Sequence, residues 1–298
     1  MHQSASRINL LFRMSRTEIP SYSPGDSDPI VETAQRTRAS DIKILIEDPC
    51  QVAEASLRDA LGTVAAKSLS TNPEVEIREL LAEFLESDEL AQLRVLTSGQ
   101  HTVKGGIVVA LNSAVVNMSG EGILILVGKT KGNARGNLRV IATDDATLNC
   151  YDNVHVDAGG RSKVNSFDHV VGIARDNARG NARGNSQWTA IGKSIFDSYD
   201  NATIFGDGNA TLRAYGRSRL RARGNVKATL CDTTQGWFVE NPEVEVAGGA
   251  MCYAQDKVRV VKKSPNSRVQ RFLSDQRAEV FAWAYRSDQH DASLCVQL

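Results

Sequence analysis

The stretch YDNATIFGDGNATLRAYG, residues 199–216, repeats its own pattern every eight positions. Its units IFGDGNAT (204–211) and LRAYGRSR (212–219) share one order: large apolar, variable, small, variable, Gly or Asp, often Asn, small, variable. Counted outward from here, octads starting at residues 100, 108, 116 and so on to 252 make twenty units without insertion. Fifteen of the twenty first positions are apolar, among them Val140, Leu148, Trp188, Phe196, Ile204 and Leu212. The third position is mostly Ala, Ser or Cys. Ten fifth positions are Gly, seven are Asp and one is Asn112, residue types that tolerate the positive φ of a tight turn. Two inward residues alternating with outward ones make a short strand, and the compulsory turn ends it. Fixed period, short strand and turn together predict a β-solenoid.

The fourth position decides how many octads close one coil. Taken every sixteen residues from 151 it gives Tyr151, Phe167, Arg183, Tyr199, Tyr215 and Cys231. The interleaved set is Thr143, Gly159, Arg175, Ile191, Asp207 and Arg223. Aromatic residues gather in one register of sixteen, whereas a register of twenty-four scatters them. The expected fold is therefore mainly β: a parallel β-helix of about ten sixteen-residue coils, two octads per coil, with helical N-terminal and C-terminal caps. The predicted divisions are a disordered tail (1–40), a helical N-terminal capping region (41–99), the solenoid (100–260) and a linker with a helical C-terminal cap (261–298).

The flanks support those divisions. Polar residues and SYSPGDSDP (21–29) give the tail nothing to fold around. IKILI (42–46) reads as a short strand and residues 51–69 as a helix. A second helix follows TNP (71–73), where a capping residue precedes a proline at the first helical position; its apolar set runs from Val75 to Leu93. Glu74, Glu76 and Glu79 favour its positive N-terminal end. Between 100 and 127 the octads become more apolar, as expected where a cap packs. KKSPNS (262–267) reads as a linker, and RVQRFLSDQRAEVFAWAY (268–285) as an amphipathic helix, a cap or a docking element.

Charge and cysteines narrow the class. The chain is neutral overall, but residues 1–99 carry net −6, residues 100–260 net +4 and residues 261–298 net +2. The five cysteines are scattered without a CxxC pair, which disfavours a disulfide framework and a zinc site. No signal peptide and no apolar run of the ~18 residues needed to span a bilayer is visible. A cytoplasmic location is the expectation.

Each tempting motif has a plainer reading in the repeat. VGKT (127–130) ends like a phosphate loop, but position 123 is Ile and Gly128 is the turn residue of its octad. Fifth-position Asp invites calcium, yet the nonapeptide pattern of calcium-binding solenoids is absent. No metal or cofactor is expected. The row Tyr151, Phe167, Tyr199 and Tyr215 is either a structural side-chain ladder, the favoured reading, or a platform for sugars or bases. Arg175, Arg179, Arg183, Arg213, Arg217, Arg219, Arg221 and Arg223 form the candidate polyanion-binding set, set against a solvated face that deters edge pairing. His101, His155 and His169 occupy unrelated octad positions, and no nucleophile–base pair emerges.

The runs YDNAT, GDGNAT and RAYGRS resemble the octapeptide "A-Y-D/G-N-A-T-V" arrays of bacterial and phage proteins. The resemblance covers about 110 residues, 140–249, and implies architecture without carrying catalytic residues. The expected function is non-enzymatic: a structural or interaction module presenting a repetitive surface to a protein partner or to itself. Polyanion or nucleic-acid binding through the Arg rows is one alternative, and a carbohydrate-binding or carbohydrate-active β-helix another.

Overall fold

An octad leaves room for one four-residue strand and one turn, and a strand that short buries its apolar side chains only by stacking on copies of itself. The computed structural model, which describes residues 73–82, 85, 87–255 and 257–272 of the chain, is that stack. It opens with helices α1 (Pro73–Leu81) and α2 (Ser87–Ala91), strand β1 (Leu93–Leu96), and three long strands, β2 (Gln100–Ala110), β3 (Val115–Leu126) and β4 (Lys131–Ala142). Short strands follow: β5 (Thr147–Cys150), β6 (His155–Ala158), β7 (Lys163–Ser166), β8 (Val171–Ala174), β9 (Arg179–Ala182) and β10 (Gln187–Ala190). The series continues with β11 (Ile195–Ser198), β12 (Thr203–Gly206), β13 (Thr211–Ala214), β14 (Arg219–Ala222) and β15 (Lys227–Leu230). It closes with β16 (Gln235–Phe238), β17 (Glu243–Val246), β18 (Met251–Gln255), β19 (Arg259–Lys262) and β20 (Arg268–Phe272).

Every pairing is parallel, and from β4 to β19 partners lie sixteen residues apart, as in Val171, Gln187 and Thr203. Two octads therefore close one coil, as the aromatic spacing predicts. Odd-numbered strands from β5 to β19 build one sheet, here called face A. Even-numbered strands from β6 to β20 build the other, face B. The long strands β2, β3 and β4 run through both. About eleven coils at the ~4.8 Å strand spacing make a rod about 50 Å long.

The turns follow the expected chemistry. Every fifth position from Asn112 to Gly248 has positive φ, and among the residues other than Gly the values run from 57° to 71°. One of them, Glu240 at 71°, is a residue type that the repeat does not anticipate. The chain pairs even here: the N–H groups of Tyr199, Asn201 and Thr203 donate to Ala182, Gly184 and Ser186 of the preceding coil at 2.9–3.1 Å.

The core holds three inward positions per octad. First positions (Ile204, Leu212, Leu220), third positions (Ala190, Ala214) and seventh positions (Ala202, Ala210, Val226) are all fully buried. The alternation argument finds only the first two, because it stops at the end of the strand. Large core residues rest on glycines one coil earlier: Trp188 pairs with Gly172, and Phe196 with Gly180. A Cβ built on Gly172 would lie 2.6 Å from the Trp188 ring, and one on Gly180 would lie 2.5 Å from that of Phe196. These gaps in the apolar first position make space for the aromatic residues that follow.

Both ends depart from the sixteen-residue coil. Gln100 pairs with Val115, fifteen residues on, and the spacing returns to sixteen at Gly106 and Gly122. The first octad is thus one residue short, which corrects the uninterrupted count from residue 100. At the other end Arg268 pairs with Met251, seventeen residues back. Residues 268–272, expected to open a helix, form β20, so the solenoid runs beyond residue 260. Ser267 N–H closes a turn on Ser264 O at 3.3 Å, within the expected linker. Leu93, expected on a helix, lies in β1. The predicted tail, the 42–46 strand, the 51–69 helix and the chain after 272 fall outside the described residues.

Helix α1 begins at Pro73 with Glu74 and Glu76 in its first turn, as the capping pattern predicts. It covers the side of the solenoid. Ile77 and Leu81 join Val109, Leu111, Ile125, Val127 and Ile141, outward residues of face B in the first coils, in a second apolar cluster. That cover accounts for the extra hydrophobicity of 100–127. The Arg78 guanidinium donates to Leu90 O at 2.7 Å and to Leu93 O at 2.9 Å, tying α1 to the first rung.

Candidate functional surface

With the strand interior committed to the core, recognition chemistry is left to the outward second, fourth, sixth and eighth positions. Their arrangement differs between the faces.

On face A, the second positions of five successive coils are Asn117, Asn133, Asn149, Asn165 and Asn181. Each amide from Asn133 onward donates to the Oδ1 one coil earlier, at 2.7–2.9 Å. This asparagine ladder escapes the sequence reading, although the identical residue at sixteen-residue spacing is its signal. Asp197 ends it, with an oxygen 3.7 Å from an Arg213 nitrogen. Burial pushes the Asp197 carboxyl up from its usual range, and the Arg213 charge partly opposes the shift.

Beside the ladder runs the fourth-position row. Tyr151 and Phe167 stack with centroids 5.0 Å apart and planes 8° from parallel; Tyr199 and Tyr215 stack at 5.1 Å and 12°. Arginines fill the remaining rungs. The Arg135 guanidinium carbon lies 4.5 Å from the Tyr151 centroid, and that of Arg183 lies 6.0 Å from Phe167 and 5.0 Å from Tyr199. Six consecutive rungs therefore form one pillar of rings and guanidinium planes. Each such contact contributes about 0.5–1.5 kcal/mol. The ring faces are taken up by neighbours along the rod, which leaves mainly edges for a ligand and favours the structural ladder over a sugar or base platform.

The aspartates of the turns are ladders too. A fifth-position carboxylate accepts from the fifth-position N–H one coil earlier: Gly136 to Asp152, Gly160 to Asp176, Gly184 to Asp200 and Gly216 to Asp232, at 3.0–3.1 Å. Asp here tolerates the turn and satisfies a backbone donor, roles that need no calcium. Among the described residues no group of three His, Cys, Asp or Glu side chains converges to hold a metal ion.

The eight arginines of the candidate polyanion set are distributed around the rod. Arg179, Arg183 and Arg213 stand on face A, and Arg217 in the turn that follows it. Arg175, Arg219, Arg221 and Arg223 stand on face B or at its exit. Several are engaged within the fold. Arg223 pairs with Asp207 at 2.6 Å, Arg175 approaches Asp157 at 3.5 Å, and Arg183 sits in the pillar. Arg221 is 4% exposed, its guanidinium 5.2 Å from the Phe205 centroid and 5.7 Å from that of Trp237.

Other reactive side chains are quenched by burial. The Cys150 thiol is pushed well up and that of Cys252 up to about 12, both by desolvation. Burial, aided by Arg139, lowers His155 below the ordinary histidine value. No helix among the described residues is long and apolar enough to cross a membrane. No family model, curated protein or solved structure matches this chain.

Proposed function

We propose that this chain is a non-enzymatic structural or interaction module that displays face A to a protein partner or to a second copy. The observation that carries this reading is the asparagine ladder with its neighbouring pillar. Polar and aromatic side chains are spent on their counterparts along the rod, giving a periodic surface and, among the described residues, no cluster that could hold a metal ion. Such a surface suits broad contact with another ordered macromolecule, because its side chains are already immobilised and little rotamer entropy is lost on binding. A photo-cross-linking group at Asn165 on face A is expected to join the chain to a protein partner or another copy, and one at Ile173 on face B is not. Turnover of a polysaccharide by the purified chain would overturn this reading. So would salt-sensitive retention on heparin that is lost in an Arg213/Arg221/Arg223→Ala triple variant.

A further inference from the structure

The two borders of face A carry opposite charges. Its strands are parallel, so each enters the face along one border and leaves along the other. The entry border is the eighth-position column, where Lys131, Lys163, Arg179 and Lys227 are exposed. Among the described residues none of these four takes part in an ion pair. The exit border is the fifth-position turn, where Asp152, Asp168, Asp200 and Asp232 are exposed. Each of these carboxylates accepts one backbone N–H through Oδ2, which leaves acceptor sites for a cation. Midway between the eighth and fourth positions runs the asparagine ladder.

We propose that face A binds face A of a second copy, with the two rods side by side and pointing the same way. The proposal rests on the reading that face A is the displayed surface, and names its occupant. A two-fold axis along the rod keeps each coil at its own level and sets the entry border of either copy against the exit border of the other. Lys163 then meets Asp168 of the second copy, Lys227 meets its Asp232, and Arg179 lies between the levels of its Asp168 and Asp200. The inner columns match as well: half-buried Ile195 stands opposite Tyr199 and Thr211 opposite Tyr215, which uses the ring edges that stacking leaves open. On the axis each asparagine faces itself, and an amide both donates and accepts. Rods pointing opposite ways, about an axis across the coils, would set the basic border on the basic border, which opposes that arrangement. From β4 to β19 the face offers roughly 17 Å by 43 Å, about 700 Å² a copy, close to the ~800 Å² per partner of a standard interface. Its polar columns also stand in water alone, so the pairing is reversible.

Sedimentation of the full chain tests it, with a dimer mass expected at high micromolar concentration. The exposed-site variant Lys163→Glu/Arg179→Glu is expected to weaken the dimer at least about tenfold, and adding Asn185→Lys/Asn201→Lys on the exit border to restore it. A chain that stays monomeric, or a dimer indifferent to the Lys163→Glu/Arg179→Glu change, overturns the proposal. Photo-cross-linkers placed separately at Asn133 and Thr229 in the otherwise native chain decide the direction, and decide alone if the charge variants fail to fold. In a mixture of isotope-labelled and unlabelled chains, each is expected to join its own level of the other copy. A cross-link from Asn133 to the residues around Thr229 means opposed rods and overturns the proposal. A monomeric chain whose Asn165 cross-linker still captures another protein leaves face A as the displayed surface while this choice of occupant falls.

Discussion

Face A and face B share one core, one turn rule and one period, yet their outer surfaces are built on opposite principles. Face A carries amides, rings and guanidinium groups that satisfy one another along the rod. Face B carries Val109, Ile125 and Ile141 in its first coils, which α1 covers, and Phe205 and Trp237 in its later ones, stacked on Arg221. A strand with polar outward residues finishes in water; one that is apolar on both sides reads as the inside of a sandwich. In a solenoid the second positions of the two faces are therefore the place to see which face is to be covered.

Four substitutions probe that comparison, in descending size of effect. Leu212→Asp attacks what the faces share. It buries a carboxylate at a fully enclosed first position and is expected to cost about 4 kcal/mol or more, read as loss of the cooperative thermal transition. Unchanged thermal stability would mean that the first position does not face the core. Ile125→Ala and Asn149→Ala set outward second positions against each other. The first opens a hole beneath α1 and is expected to cost about 3 kcal/mol in urea denaturation. The second breaks two half-buried amide bonds and costs about 1 kcal/mol. Equal losses would erase the distinction between a covered and a self-satisfied face.

Asp197→Asn is the subtlest. It removes a carboxylate at the rung after Asn181 and supplies an amide that extends the ladder, for a gain of about 0.5 kcal/mol at neutral pH. The sign follows from the raised pKa. The folded state holds this proton more tightly than the unfolded chain does, so the native carboxylate costs stability above the folded value and that cost fades as pH falls through it. The advantage of the variant should therefore shrink between pH 7 and pH 4. A gain that stays constant with pH would assign the effect to the amide bonds alone.

The fold was legible because its cause is periodic. Large apolar first positions, small third positions and Gly or Asp fifth positions state the strand, the core and the turn separately, and the fourth position adds the size of the coil. The limits of that legibility are equally physical. The seventh position faces inward because the turn redirects the chain, which strand alternation cannot express. The asparagine ladder and the Arg rungs depend on contact between residues sixteen apart, and a scan for local motifs does not register them. Arg183 belongs to the basic set but shares the sixteen-residue register of the aromatic row, and the structure places it between Phe167 and Tyr199. Residues 268–272 escape the octad count because a seventeen-residue coil shifts their phase by one.

That phase change has a consequence for crowding and storage of the protein. A stack of parallel strands with Asn ladders and stacked rings is the construction of an amyloid fibril, and an open end is a template for growth. Here the interior repeats every sixteen residues, but the first rungs are offset by fourteen and fifteen, and the last by seventeen. In addition, Arg271 stands at an inward position of the last coil and donates to Gln255 O and Val258 O. Another copy stacking on that end would have to enclose the Arg271 guanidinium between two apolar interiors, which is costly. An inward charge at the last strand is one of the devices by which a parallel stack resists growth at its edge.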